Sequence, residues 1–404
     1  LWGAPGHPFY FFLMKTHFLF IALILIASCT QRGTPIEVSE GSGTIRISDL
    51  HRMSDSLGSR LLDDCRFVRL QTNEHCLMGW PRKIRIADNL MFIMDDNYKI
   101  FVYQQDGTFV NTIGTIGKGP NELQSITNFY INEKERYIGV MDPVGLKMVR
   151  HTFQGKPLKT FPLDGTTWQR IQDIDMTNEE QILITFRNGP HNPNQYAVVR
   201  EDDYSLMRYL LPYITIGEDT CGDAYLETFA RSGSNWYAPE MLSDTLYTFR
   251  GADLIPRWIL DFGIKHPNPE VIREDEPYPC ARSMGGNTLR KKGYSTGINR
   301  VLPAGKYLFI HCYALRIKYD IFLDPEKGTG FYFEEQENRN IFHSLDQFKT
   351  WNGSEMVAVI PVSDAMDDQA GEYALSHPKV LEVMRQCKEE DNPIIGFYKV
   401  PEPK

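Results

Sequence analysis

The chain has 404 residues, a formal net charge of −9 and an aromatic content of 12%, with 20 tyrosines. That length exceeds one small domain but suits one large repeat fold. The negative balance, with Lys and Arg scattered, excludes the concentrated basic surface that nucleic acid requires, so no nucleic-acid partner is expected.

The first segment reads as targeting, not fold. Met14-Lys15-Thr16-His17 is a short positive start, and residues 1–13 are expected to be an upstream extension. Phe18 to Ala27 is an apolar run, too short to span a bilayer comfortably but of the length of a signal-peptide core. Ile26-Ala27-Ser28-Cys29 resembles a bacterial lipobox, with Ile26 where Leu is usual. Cleavage before Cys29 and its lipidation are therefore expected. Residues 29–60 read as a tether. Thr30 to Gly43 is rich in Gly, Ser, Thr and Pro and has no period, and Ile45 to Leu62 is expected to settle into a short strand and a helical turn. Residues 61–404 read as the folded domain.

Within that domain, Asp95 to Leu123 is the clearest unit. Lys99, Phe101 and Tyr103 alternate with Ile100, Val102 and Gln104, as in a strand with two distinct faces. Gln105-Asp106-Gly107 supplies the positive-φ position of a hairpin turn, and Phe109 to Ile113 runs back. The unit recurs five more times. Third strands begin near residues 99, 146, 196 and 245, at intervals of 47, 50 and 49 residues, the period of a four-stranded propeller blade. The later units run at 127–163, 171–211, 225–262, 295–334 and, for the last, Ile341 to His343, Met356 to Pro361 and Ile394 to Val400. Lys265 to Lys292 reads as an insertion. Glu372 to Lys388 reads as a helix that starts near Ser376, with Pro378 in its first turn. The expectation is all-β: a six-bladed β-propeller of four-stranded antiparallel blades, with a short helical insertion in the last blade. Closure removes the exposed edges of an open array, so Phe67 to Gln71 and Ile394 to Val400 are expected to share one blade.

Asp95, the Asp106-Gly107 turn, the loop Gly117-Lys118-Gly119-Pro120-Asn121-Glu122, the lipobox and the ending Asn392-Pro393-Ile394-Ile395 together resemble the six-bladed β-propeller lipoproteins of Bacteroidetes, relatives of the NHL-repeat propellers. The resemblance covers roughly residues 60–400. Asn121 stands where the loop usually carries Gly, a small departure because Asn also tolerates the left-handed region. The resemblance implies a fold and an envelope location. It implies no activity.

The Gly117-Lys118-Gly119 stretch is not a phosphate loop, because Gly119 stands where Ser or Thr would hold magnesium; its glycines are read as the turn between blades. Aligning the second strand of each repeat brings Asp95, Asp142, Arg187, Glu240 and His311 to one depth, a candidate ligand-binding set. The structural alternative is that the aspartates accept hydrogen bonds from the turns that follow them, and that His311, on an apolar strand, is a satisfied core histidine. Trp168, Tyr225, Trp236, Tyr237 and Tyr278 are candidate binding aromatics, with packing between blades as the alternative. His191 to Asn194 reads as an exposed loop. Six cysteines follow Cys29 without zinc spacing or a spacing that selects a pairing; Cys65 and Cys76 flank one strand and are near enough to meet, and Cys312 reads as a buried thiol. No metal or other cofactor is expected, and no catalytic template is present. The leading functional reading is a non-enzymatic, lipid-anchored envelope module, periplasm-facing, that binds a protein, peptide or glycan on one propeller face. The alternative is a propeller hydrolase or lyase acting on carbohydrate, with Glu240 and Asp142 or Asp95 as its carboxylates.

Overall fold

Strands with alternating faces pair antiparallel into blades, and blades hide their apolar faces only against one another. The structure, a computed structural model, describes residues 42–54, 61, 64–119, 121–177, 180–187, 194–213, 229–240, 242–266, 292–314, 317–335, 348–362, 378–401 and 403. Two short strands, β1 (Gly43–Arg46) and β2 (His51–Arg52), precede β3 (Cys65–Arg69). Blade one is β4 (Pro81–Ala87), β5 (Leu90–Asp95), β6 (Ile100–Gln104) and β7 (Phe109–Ile113). Blade two is β8 (Asn128–Asn132), β9 (Tyr137–Asp142), β10 (Lys147–Thr152) and β11 (Pro157–Pro162). Blade three is β12 (Ile171–Met176), β13 (Gln181–Phe186), β14 (Asn194–Arg200) and β15 (Leu206–Pro212). Blade four is β16 (Ala230–Ser232), β17 (Asn235–Pro239), β18 (Thr245–Arg250) and β19 (Asp253–Asp261). Blade five is β20 (Ser295–Ala304), β21 (Tyr307–Ala314), β22 (Ile317–Asp324) and β23 (Thr329–Glu335). Blade six takes β24 (Phe348–Trp351), β25 (Met356–Ile360) and β26 (Ile394–Tyr398), and β3 completes it.

The fold is thus the six-bladed β-propeller expected, each blade four antiparallel strands, and the described residues include a short helix, α1 (Pro378–Met384), opening on Pro378. The ring closes as anticipated: Ile394 pairs with Arg69 and Tyr398 with Cys65, so strands from opposite ends of the chain share one sheet. Six apolar clusters hold the blades, one at each interface. Phe92, Phe129 and Phe153 join blades one and two, and Ile93 and Phe101 meet Val357 and Phe397 at the seam between blades six and one. Each such buried side chain contributes about 1.5–3 kcal/mol relative to exposure.

Several expectations change in detail. The inner strand of blade six is Phe348–Trp351; Ile341 to His343 lies outside the described residues. The blade-four strand expected from residue 225 is described only from Ala230 to Ser232. In the stretch read as tether, β1 pairs parallel with β19, and β2 pairs parallel with β23. These pairings give blades four and five a fifth strand, because buried Ile45, Ile47 and Leu50 have an apolar surface to join. Cys65 and Cys76 are both buried free thiols and do not pair, and Cys312 is a buried free thiol as read. Cys29, Cys221 and Cys280 lie outside the described residues.

Candidate functional site

The inner strands of all six blades line the central channel. Their alternation sends every second side chain towards it, and in β4 those positions carry Lys83 and Arg85. Ninety residues later β12 carries Asp173 and Asp175 in the same pattern. The Lys83 Nζ lies 2.6 Å from Asp173 Oδ1, 2.7 Å from Asn128 Oδ1, and 2.6 and 2.7 Å from the Phe129 and Ile174 carbonyl oxygens. Arg85 donates through Nε to Asp175 (2.6 Å) and through its terminal nitrogen to Asp173 (3.2 Å). Blades one and three are thereby tied together past the inner strand of blade two. Burial pushes the Lys83 ammonium down to about 8, against the pull of Asp173. Burial likewise raises the Asp173 carboxyl, against the pull of Lys83. Desolvation is the larger influence on both, so this is a costly pair kept by dense acceptor geometry. Composition and period do not reveal it, since partners so far apart meet only when the ring forms.

Above this polar floor, the C-terminal ends of all six inner strands enclose a cavity of about 440 Å³. Its wall includes Arg85, Asp175 and Met176 from one side and Phe229, Trp236 and Trp351 from the other. Trp236 packs edge-on to Phe229, with ring centroids 5.7 Å apart, and its indole nitrogen is buried without an acceptor among the described residues. Trp351 lies against Gly305, where a Cβ would stand 3.3 Å from the indole ring. Glu133 and Arg231 also line the cavity. The cavity walls partly strip water from the Glu133 carboxyl and raise it; Arg231 opposes this, and Asp175 and Asp88 add to it.

The five residues aligned from the sequence are placed as follows. Asp95 is buried at the end of β5, accepting from the backbone N–H of Gly79 (2.9 Å) and of Lys99 (2.8 Å). Asp142, buried at the end of β9, accepts from the backbone N–H groups of Gln124, Ser125 and Gly145 and from the Ser125 hydroxyl. Lys99 and Gly145 belong to the turns that follow the two aspartates, and Gly79, Gln124 and Ser125 to the segments that enter the same blades, so each aspartate bonds both. Arg187 follows β13 and donates through Nε to Gln172 (2.7 Å). Glu240 follows β17 and accepts from the Tyr247 hydroxyl (3.0 Å). His311 lies in the middle of β21, not at its end, because β21 runs to Ala314. There it faces its cross-strand partner Asp320, Nδ1 to Oδ1 2.9 Å. Of the aromatics, Trp168 and Tyr237 are buried between strands and Trp236 reaches the cavity; Tyr225 and Tyr278, with His191 to Pro193, lie outside the described residues. Among the described residues no group of three or more His, Cys, Asp and Glu side chains is gathered as for a metal ion.

At the opposite end of the same inner strands lies a second concavity, of about 560 Å³, lined by Arg82, Arg170 and Arg187 and by Tyr98, Leu146 and Trp168.

Residues 44–399 match the family described as Domain of unknown function (DUF4934). Among solved structures, the chain is similar to a protein of Bacteroides fragilis NCTC 9343 described as exported. That match has 20% identity and a TM-score of 0.67, covering 89% of this chain and 100% of that one. It is also similar to a member of the DUF4221 family from Bacteroides vulgatus ATCC 8482, with 10% identity and a TM-score of 0.52, covering 83% of this chain and 96% of that one. At these identities the likeness is one of fold. No curated protein matches the chain.

Proposed function

The chain belongs to the DUF4934 family, and from that premise we propose that it is a non-enzymatic binding module of the bacterial envelope, which takes a glycan or a peptide into the mouth of its ring. The observation that carries this reading is the cavity of about 440 Å³ closed in by all six inner strands, with Trp236 and Trp351 in its wall and the Lys83–Asp173 pair beneath it. That volume suits a sugar unit or a peptide end. Indole faces stack on sugar rings and apolar side chains, while Arg231 and Glu133 offer charge and hydrogen bonds at the rim. The export location draws on the lipobox-like Ile26 to Cys29 and on the exported Bacteroides protein of the same fold. In this reading Cys29 carries the lipid and the ring faces the periplasm.

Ligand binding to the folded ring alone raises its melting temperature by mass action. We expect a member of a panel of envelope glycan fragments and peptides to do so for the wild-type chain and not for Trp351→Ala. A panel that leaves the wild type unmoved, or moves both proteins equally, sinks the reading. A second reading, a carbohydrate hydrolase or lyase, has one observation in its favour: Glu133, with its raised carboxyl, shares the cavity with Asp175, which is held by Arg85. A carboxyl raised in this way beside a second carboxylate suits acid–base work. Turnover of any panel glycan, abolished by Glu133→Gln, would replace binding with catalysis.

A further inference from the structure

We propose a second site on the opposite face of the ring from the mouth, one that binds an acidic peptide segment carrying apolar side chains. The inner strands of blades one to three begin at this face, and around their starts lies the concavity of about 560 Å³. Its lining holds Arg82, Arg170 and Arg187 and, among the described residues, no Asp or Glu. In a chain of net charge −9 this is a local reversal of sign.

The donors here exceed the acceptors. Arg82 donates to the Tyr98 hydroxyl (2.8 Å) and lies over the Tyr98 ring at 5.3 Å, neither of which neutralises its charge. Arg170 is exposed, and its side chain makes no hydrogen bond or ion pair with the described residues. Its φ of 56° is a left-handed conformation that a non-glycine residue adopts at a cost. Two buried polar atoms without a partner among the described residues belong to the same lining: the Trp168 indole nitrogen and the Thr127 hydroxyl. Trp168 itself is 1% exposed, so its N–H has no access to bulk water. A buried donor without an acceptor is costly.

The partner's apolar character follows from the rest of the surface. Tyr98 and Leu146, on the turns after β5 and β9, are 38% and 46% exposed and line the concavity. Val144, on the same turn as Leu146, is 65% exposed. Exposed apolar side chains beside Arg82, Arg170 and a tyrosine have the composition of a protein-binding hot spot. Carboxylates would pair with the guanidinium groups, bidentate where geometry permits. Apolar side chains between them would cover Tyr98 and Leu146. The assignment is independent of the mouth.

The test is fluorescence anisotropy of the full chain with a labelled peptide of alternating Glu and Leu. Its Gln–Leu analogue and vesicles containing anionic lipid are run alongside. We expect the Glu–Leu peptide to bind, the analogue not to bind, and affinity to fall as salt is raised. Arg170→Gln, an exposed change that leaves the melting temperature unaltered, should weaken binding about tenfold, the loss of one charge-assisted contact. Arg82→Gln should do the same, and Trp351→Ala should leave this binding intact. Absence of peptide binding at low salt overturns the proposal. So does equal binding of the Gln–Leu analogue, affinity indifferent to both arginine changes, or binding to the vesicles alone, which would make this a membrane-facing surface.

Discussion

Lys83 shows how one residue can serve the ring at a cost to itself. Its ammonium is buried and surrounded by four acceptors within 2.7 Å, so the charge is tolerated only while every contact holds. Lys83→Met leaves buried Asp173 with only the longer Arg85 contact as its cation, and the expected loss is about 3–5 kcal/mol in urea unfolding. Adding Asp173→Leu should recover most of that loss, since removing both charges removes both desolvation penalties; a double variant no more stable than the single would refute the pair's role. His311 provides the pH counterpart. Burial lowers its imidazole below 6.5, while Asp320 pulls it upward and Lys318 and Arg300 push it down further. The unfolded chain therefore takes up a proton as pH falls through 6.5 while the folded one resists, so stability declines on that side and is unaffected above it. Asp320 acts lower. Burial alone would raise its carboxyl, but Lys318 and His311 outweigh it and hold the carboxyl below 3.8, so its stabilisation is present above that value and lost as pH falls through the folded one. Melting temperatures between pH 8 and 5 should fall for the wild type below 6.5 and stay flatter for His311→Gln.

At the scale of elements, what the sequence reveals is what forms locally. The Asp106-Gly107 turn is as read: Gly107 adopts a φ of 90°, and the Asp106 carboxylate accepts from the Thr108 N–H at 2.9 Å. The Gly117 loop wraps the Glu122 carboxylate, which accepts from the Gly119 N–H at 2.7 Å, and a Cβ on Gly117 would stand 2.0 Å from it. Strand alternation locates blades one and two almost residue by residue, because each of their hairpins is short. His311 was misplaced for a related reason: β20 and β21 are longer than their counterparts, so equal counting put a mid-strand residue at a strand end. The Lys83 network and the arginine concavity join residues of three blades and leave no local trace. Within the stretch read as tether a short strand is legible from Ile45, but the joining of β1 and β2 to blades four and five is not. Those strands cover the edges of β19 and β23, which would otherwise present unpaired backbone groups. A chain that begins at Ser54 should lose the burial of Ile45, Ile47 and Leu50. The expected result is a lower melting temperature and greater self-association in light scattering, with the six blades still folded; a truncated chain that melts and scatters like the parent would show that the added strands are dispensable.

For the whole molecule, the decisive feature is that no blade has a core of its own. Each of the six apolar clusters is shared by two neighbours, so opening one interface exposes faces on both of its blades. An open repeat array could lose its last unit and keep the rest, but a ring has no last unit. Blade six depends on β26, whose Ile394, Ile395 and Phe397 are buried, to join β25 to β3. Ending the chain at Pro393 removes the strand that spans the seam. It strands β3, which came from the other end of the chain, and uncovers Val357 and Val359 on blade six together with Ile93 and Phe101 on blade one. Those faces cannot be covered locally, and buried side chains of this kind contribute about 1.5–3 kcal/mol each, so the loss exceeds the whole stability of an ordinary domain. The truncated chain should therefore lose its cooperative urea transition by circular dichroism, while Ile395→Ala keeps one transition shifted down by about 2–5 kcal/mol. If instead the truncated chain retains a sharp transition of reduced amplitude, the blades are stable as an open array and the closure argument fails.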